Sequence, residues 1–455
     1  MKNFTLSPIF ILFSLYASSF APSSAQAAET AFEPDSSLPI VYLNVAVRAG
    51  SVIDPAGQSG ITNFLGEMLL RGTRARTKEQ IDLALDQIGA RLEIETRAEA
   101  MILRGAVLKT QLPAFLKLLN EILIEPSFPE GEISKLKSEI TSGIAEELGN
   151  DSSLSSRRFA KFLFRDHPYG KPVLGVTHDI DALTRNQVLA HYDRLIRDNL
   201  LVVVGTGDAS ESTITDWAKT LGSARSGQAV VKIDAIKAPE NAPTPRLQII
   251  DKPERTQTQI NIGEIGVRMT DPDFFPIYLG NHAFGGGSFS SRLMVEIRVK
   301  RGWSYGAGSY FRQGLKPRSW QVHLFPSEKD TAAALAYTLG MIGDLAEKGV
   351  TQDEFSFAQT SLVNSSGFMY NTPKKRVENK LLERTLDLPN GFMKSYAKEL
   401  ARAKLADVNG ALKKFLKPNQ LAISVLATAS HLKEPLAKAA HIPVEQIEVT
   451  PYTQE

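Results

Sequence analysis

The stretch Gly60-Ile61-Thr62-Asn63-Phe64-Leu65-Gly66-Glu67-Met68-Leu69-Leu70-Arg71-Gly72-Thr73 decides how the rest of the chain is read. Ile61, Phe64, Leu65, Met68 and Leu69 recur at i, i+3, i+4, i+7 and i+8, which lines one face of an α-helix with apolar side chains. Immediately upstream, Asp54 to Gly60 carries the proline and glycines of a turn. Before that turn, Val41, Leu43, Val45 and Val47 alternate with Tyr42, Asn44, Ala46 and Arg48, the period of a strand. Downstream, apolar spacing predicts helices over Thr77 to Ile88, Leu112 to Ile124, Glu130 to Leu148 and Thr184 to Arg194. Leu200-Leu201-Val202-Val203-Val204 then predicts a buried strand stopped by Gly205 and Gly207.

The second half replays this order. A strand is predicted at Gln259 to Gly266 and a helix from Pro272 toward Phe284. Further helices follow at Lys329 to Lys348, Glu354 to Ser365 and Leu405 to Phe415, and Leu421 to Leu426 closes as a strand. Asn199-Leu200 and Asn419-Gln420-Leu421, each ahead of a closing strand, lie 220 residues apart. Matching order and length indicate an internal duplication. Between the halves, Ala238-Pro239-Glu240-Asn241-Ala242-Pro243-Thr244-Pro245 is polar, rich in proline and suited to a linker. The expected division is therefore residues 28–235, a linker at 236–247, and residues 248–455.

Residues 1–27 carry an address. Lys2 supplies a positive start, Ile9 to Ala21 is uncharged and mainly apolar, and Ala25-Gln26-Ala27-Ala28 is a small-x-small cleavage pattern. The apolar run falls short of the about 20 residues a membrane span needs. A cleaved secretory signal peptide is expected, with the periplasm as destination and no membrane attachment afterwards.

Composition narrows the chemistry. The chain has 455 residues, 43% hydrophobic, with 52 Lys plus Arg against 50 Asp plus Glu. That balance excludes the basic stripe of a dedicated nucleic-acid binder. The absence of cysteine excludes disulfides, thiolate metal sites and a cysteine nucleophile. A metal would need histidines and carboxylates, and there are seven histidines.

The Gly60–Thr73 segment resembles the M16 (insulinase, pitrilysin and processing-peptidase) metallopeptidases, whose first domain carries G-x-x-H-F-L-E-H-M-x-F-x-G-T. The resemblance implies an α+β chain of two homologous α/β-sandwich domains. In that family the two histidines of H-x-x-E-H bind zinc and the glutamate activates water. A carboxylate from a second helix, about 76 residues on, completes the ligand set. Here the frame is kept and the chemistry is lost. Asn63 and Glu67 stand at the histidine positions, Gly66 at the base, and the count of 76 from Glu67 lands on Gly143. One carboxylate and one amide cannot make a three-ligand zinc site. Glu139, Glu146 and Glu147 lie within a turn of Gly143, and the nearest histidine in sequence is His167.

In the second half, Phe284-Gly285-Gly286-Gly287-Ser288-Phe289-Ser290-Ser291-Arg292-Leu293 precedes Glu296-Ile297-Arg298-Val299-Lys300-Arg301-Gly302-Trp303-Ser304-Tyr305. By itself the triple glycine is a tight turn or a weak anion-binding signal. The same resemblance gives it another meaning, a glycine-rich substrate-binding turn at Gly285, Gly286 and Gly287 ahead of E-x-R-x-x-x-G-x-x-Y. It implies that Arg298 and Tyr305 hold the substrate carbonyl and stabilise its oxyanion at a partner's zinc. Lys300 and Arg301 are expected to form a solvated basic edge, Trp303 an apolar anchor, and His282 a satisfied packing residue. His167-Pro168-Tyr169-Gly170 is expected to serve structure.

Together these features imply a zinc-less subunit, inactive alone, that serves a sister subunit with an intact H-x-x-E-H in a heterodimer cleaving peptides. Zinc belongs to that partner and no cofactor to this chain. The alternative is a structural or peptide-binding pseudopeptidase, and a third reading is an unorthodox metallopeptidase built on Glu67.

Overall fold

The computed structural model describes residues 28–197, 201–223 and 233–455. The predicted signal peptide at 1–27 and the Asn199-Leu200 pair lie outside the described residues. Among the described residues no helix is long and apolar enough to cross a membrane.

Five strands form the first sheet: β1 (Glu29–Pro34), β2 (Ile40–Val47), β3 (Arg91–Thr96), β4 (Met101–Leu108) and β5 (Leu201–Gly207), in the order β1-β5-β2-β4-β3. The second sheet holds β6 (Arg246–Asp251), β7 (Gln259–Ile265), β8 (Ser304–Phe311), β9 (Ser319–Pro326), β10 (Ala422–Ala427) and β11 (Glu448–Pro451). Its order is β11-β6-β10-β7-β9-β8. With β11 set aside, the two orders are the same strand for strand. Both share one parallel pair, β1 with β5 and β6 with β10, followed by antiparallel partners, and β11 adds a second parallel pairing with β6. Two domains with one mixed-sheet topology make the chain α+β.

The first domain's helices are α1 (Ile61–Leu69), α2 (Lys78–Gln87), α3 (Leu112–Ile124), α4 (Glu130–Gly149), α5 (Asp151–Phe164), α6 (Thr177–Ala182), α7 (Arg185–Tyr192) and α8 (Glu211–Ser223). The second adds α9 (Phe274–Asn281), α10 (Thr331–Lys348), α11 (Gln352–Ser366), α12 (Pro373–Thr385), α13 (Phe392–Arg402), α14 (Leu405–Phe415) and α15 (Ala429–Ala440). Capping explains several starts. Thr77 and Gln80 form a capping box at α2, Thr184 and Gln187 do so at α7, and Thr351 and Glu354 at α11. One expected stop is corrected. β5 continues through Gly205, where a Cβ would sit 2.8 Å from the Phe32 ring and 2.9 Å from the Tyr42 carbonyl oxygen. Glycine there admits the β1 side chain rather than ending the strand.

Each domain lends one helix to the other. α5 crosses the second sheet, where Ser155 Oγ accepts from Asn261 Nδ2 at 2.7 Å and Lys252 Nζ reaches Asp151 at 2.6 Å. α12 crosses the first sheet and packs Val377 and Leu381 on Ala46, Ile102, Val202 and Val204. Arg376 then pairs with Glu33 and Asp35, and Arg384 with Glu29. Burying such aliphatic side chains is worth about 1.5–3 kcal/mol each, so the exchange ties the domains together.

Candidate functional site

The first-domain site begins at the turn before α1. Gly60 has φ +93°, and a Cβ there would lie 2.6 Å from the Leu174 carbonyl oxygen, so glycine is required. The Asp54 carboxylate caps the helix by accepting from Gly60 N at 2.7 Å and from Thr62 N and Oγ1. Burial pushes the Asp54 carboxyl up to about 6, against the pull of those hydrogen bonds. Thr62 Oγ1 also meets His191 Nε2 at 2.8 Å, and burial lowers that imidazole to about 4. His191, not His167, is therefore the histidine beside α1; α7 carries it there from far along the chain. It lies in the core against fully buried Thr62, whereas Asn63 and Glu67 are partly exposed one turn apart.

Neither helix offers a zinc site. A Cβ on Gly66 would meet Ile94 Cγ2 at 3.0 Å, Met101 Sδ at 3.1 Å and Thr96 Oγ1 at 3.2 Å, so strands β3 and β4 close over the base position. Burial raises Glu67, partly offset by the Arg71 guanidinium. Arg71 in turn binds Glu132 at 3.2 Å and also Glu139. Glu147 is held by Arg157 at 2.9 Å, and Glu146 is exposed. Gly143 has open space around it. Among the described residues no three His, Asp or Glu side chains gather as ligands. The residues present do not fit zinc. Restoring the motif as Asn63→His/Gly66→Glu/Glu67→His should accordingly leave zinc well below one per chain by metal analysis. The same variant should lower Tm, because a side chain at 66 overpacks the helix–sheet contact.

The second-domain site is built by an irregular path. α9 passes into a wider turn at His282–Gly286, a single 3₁₀ turn at Ser288–Ser290, a second wide turn at Met294–Val299, and then β8. Gly285 is buried against β8, where a Cβ would lie 2.4 Å from Ser309 Oγ and 2.6 Å from its backbone nitrogen. Asn281 Oδ1 accepts from Ser309 Oγ and Trp320 Nε1, both at 2.7 Å, and fixes this turn to the sheet. Gly285 thus serves packing, while Gly286 and Gly287 reach the surface.

That scaffold brings Arg298 and Tyr305 together. The Arg298 guanidinium lies 4.5 Å from the Tyr305 ring centre and 4.8 Å from that of Phe289. Tyr305 is 77% exposed and Phe289 63%. Among the described residues Arg298 makes no ion pair, although Glu296 is close in sequence. Glu296 is spent on Lys300 at 2.6 Å, Arg301 at 2.7 Å and the Tyr337 hydroxyl at 2.9 Å, and these hold its carboxyl down to about 2. The expected solvated basic edge holds for the exposed Lys300 and is corrected for Arg301. Arg301 packs 3.7 Å over the Tyr337 ring and 5.4 Å from Trp303. His282 also departs from expectation, since its Nε2 is buried with no hydrogen-bond partner and burial lowers its pKa. Phe289 was not foreseen; the signal available was one large apolar residue inside a run of glycine and serine. Clamped between two rings, the guanidinium keeps its N–H edges for an oxygen ligand, beside a phenol able to donate to the same atom.

Residues 29–177 match the family Insulinase (Peptidase family M16), and residues 182–362 match the Peptidase M16 inactive domain. An uncharacterized zinc protease of Rickettsia felis is 29% identical over 272 residues, which are 59% of this chain and 64% of that protein. The non-peptidase homolog YmxG of Helicobacter pylori is 22% identical over 402 residues, 87% of this chain and 91% of its own. Among solved structures, a peptidase M16 inactive domain from Pseudomonas fluorescens superposes with a TM-score of 0.83 at 23% identity, covering 89% of this chain and 96% of that one.

Proposed function

The chain belongs to the M16 (insulinase) peptidase family, and from that premise we propose that it is the zinc-less subunit of a two-chain peptidase, with Arg298 and Tyr305 serving the partner's metal site in trans. The partner is an M16 chain with an intact H-x-x-E-H, the substrates are peptides, and the apolar, uncharged run at Ile9 to Ala21 supports the periplasm as the compartment of the complex. The partner's zinc, when bound, supplies the activated water. The work of this chain is to donate hydrogen bonds from the Arg298 guanidinium and the Tyr305 hydroxyl to the scissile carbonyl oxygen. Those donors gain strength as the oxygen takes on negative charge. The observation that supports this reading most is the contrast between the two sites. Carboxylates on α4 are spent on Arg71 and Arg157, whereas Tyr305 is exposed and the half-buried Arg298 makes no ion pair among the described residues.

A second reading draws on the likeness to the non-peptidase homolog of Helicobacter pylori. On it, the chain is a structural or peptide-holding protein without a catalytic role. Mixing separates the two. The purified chain should cleave no fluorogenic unfolded peptide, and an M16 partner with H-x-x-E-H should cleave it far faster in the mixture than alone. If the partner forms a complex with this chain and its turnover stays unchanged, the first reading fails and the second stands.

A further inference from the structure

A cavity of about 400 Å³ lies where the two domains meet, between α5, the loop after Gly170 and the hairpin joining β8 to β9. Its charged lining is lopsided: Arg157, Lys171, Arg312 and Arg318 face one acid, Glu147, which already pairs with Arg157. Arg318 is the distinctive member. Its guanidinium stacks 4.9 Å over the Tyr169 ring, its Nε is buried, and that atom has no hydrogen-bond partner. Glu99 is the carboxylate that acts on it electrostatically, yet the Glu99 oxygen Oε1 takes the Tyr169 hydroxyl and Leu315 N instead. Arg312 sits near enough to repel Arg318. Arg318 is half-buried and makes no ion pair among the described residues, so its guanidinium stays available to an anion entering the cavity. Ser152 and Ser156 continue the lining into a second cavity of about 290 Å³ beneath α5, where His323 Nδ1 is likewise buried without a partner.

We infer that this interdomain cavity is an oxyanion-binding site, with Arg318 as its principal ligand and Arg312 as its outer cation. A planar guanidinium backed by an aromatic ring is suited to a carboxylate or a phosphate, which it can meet with two parallel N–H bonds. The serine-lined second cavity gives room for a neutral polar tail. Free phosphate and the terminal carboxylate of a short peptide share this chemistry. The site is independent of Arg298 and Tyr305 and of their proposed role.

The test uses the full chain. Tm is recorded against sodium phosphate, with sodium chloride at matched ionic strength as the reference. Trialanine and trialanine amide are titrated by calorimetry in parallel. The expected result is a saturable, oxyanion-specific rise in Tm. Binding of trialanine but not of its amide assigns the site to a terminal carboxylate; a response to phosphate alone assigns it to phosphate. Arg318→Met should lower Tm modestly without anion, because buried Glu99 loses its cation and Tyr169 its stacked guanidinium, and should weaken binding at least tenfold. Arg312→Gln, at an exposed position, should weaken it severalfold in a normally folded chain. The inference is overturned if phosphate raises Tm no more than chloride and trialanine gives no saturable heat of binding, or if both variants bind as the parent does.

Discussion

Arg298→Ala should lower kcat of the reconstituted two-chain peptidase by about 10²–10³, the usual cost of losing one donor to a developing oxyanion. The loss should appear equally in kcat and kcat/KM, because the interaction strengthens only as charge builds on the carbonyl oxygen. Tyr305→Phe removes the phenol but keeps the ring that lies 4.5 Å from the guanidinium, so it isolates the hydroxyl. Its expected cost is of the same order, about 10². Neither change should disturb folding, since Tyr305 is 77% exposed and Arg298 carries no ion pair among the described residues. Complex formation, followed by size-exclusion chromatography, should be retained. Full kcat in both variants would show that the pair is structural and would sink the proposed role.

How much of this could be read beforehand depends on where the stabilising contacts lie in sequence. α1, α3 and α4 were legible because their apolar faces repeat within the helix itself. The residues of the Arg298 site were legible through a family pattern; spacing alone placed Arg298 and Tyr305 seven apart without saying that they touch. α5 and α12 were not foreseen, and both are the exchanged helices. α5 reads Asp-Ser-Ser-Leu-Ser-Ser-Arg-Arg, a run whose serines suggest a loop. Its partner is Asn261 on the other domain's sheet, which answers Ser155 with a hydrogen bond. α12 buries Val377 and Leu381 together with Glu383 and Thr385, too sparse an apolar stripe to stand out by period. β8 was missed for a different reason. Ser304–Phe311 contains two glycines, and Gly308 lies 3.0 Å (as a would-be Cβ) from the His323 ring, so close packing rather than propensity sets its composition. The position of His191 shows the same limit: a buried contact between residues 62 and 191 has no local signal.

The largest expected effect on stability comes from a carboxyl that the proposed chemistry does not use. Glu264 lies in β7, fully buried, and accepts from Lys417 N at 3.2 Å and from Asn241 Nδ2 at 3.4 Å. Asn241 belongs to the proline-rich connection between the domains, and its Oδ1 accepts from Ile265 N at 2.7 Å. Burial pushes the Glu264 carboxyl up to about 8, more than the Lys417 amide and charge pull it down. In the folded chain the group is therefore protonated at neutral pH, whereas in the unfolded chain it ionises near the ordinary glutamate value. The folded state holds the extra proton, so the contribution is fully present below the unfolded pKa and is lost as pH rises through about 8. Integrated across that window, the loss is on the order of 4 kcal/mol. Other buried groups shift with opposite signs, Asp54 and His191 among them. Asp54, raised to about 6, loses its contribution as pH rises toward that value, and His191, lowered to about 4, loses its contribution as pH falls toward that value. Both are common to parent and variant, so comparing the parent with Glu264→Gln between pH 5 and pH 8.5 cancels them. Urea unfolding should show the parent losing several kcal/mol more than the variant over that interval. Parallel pH profiles would mean that Glu264 stays ionised in the folded chain, with the Lys417 amide outweighing its burial.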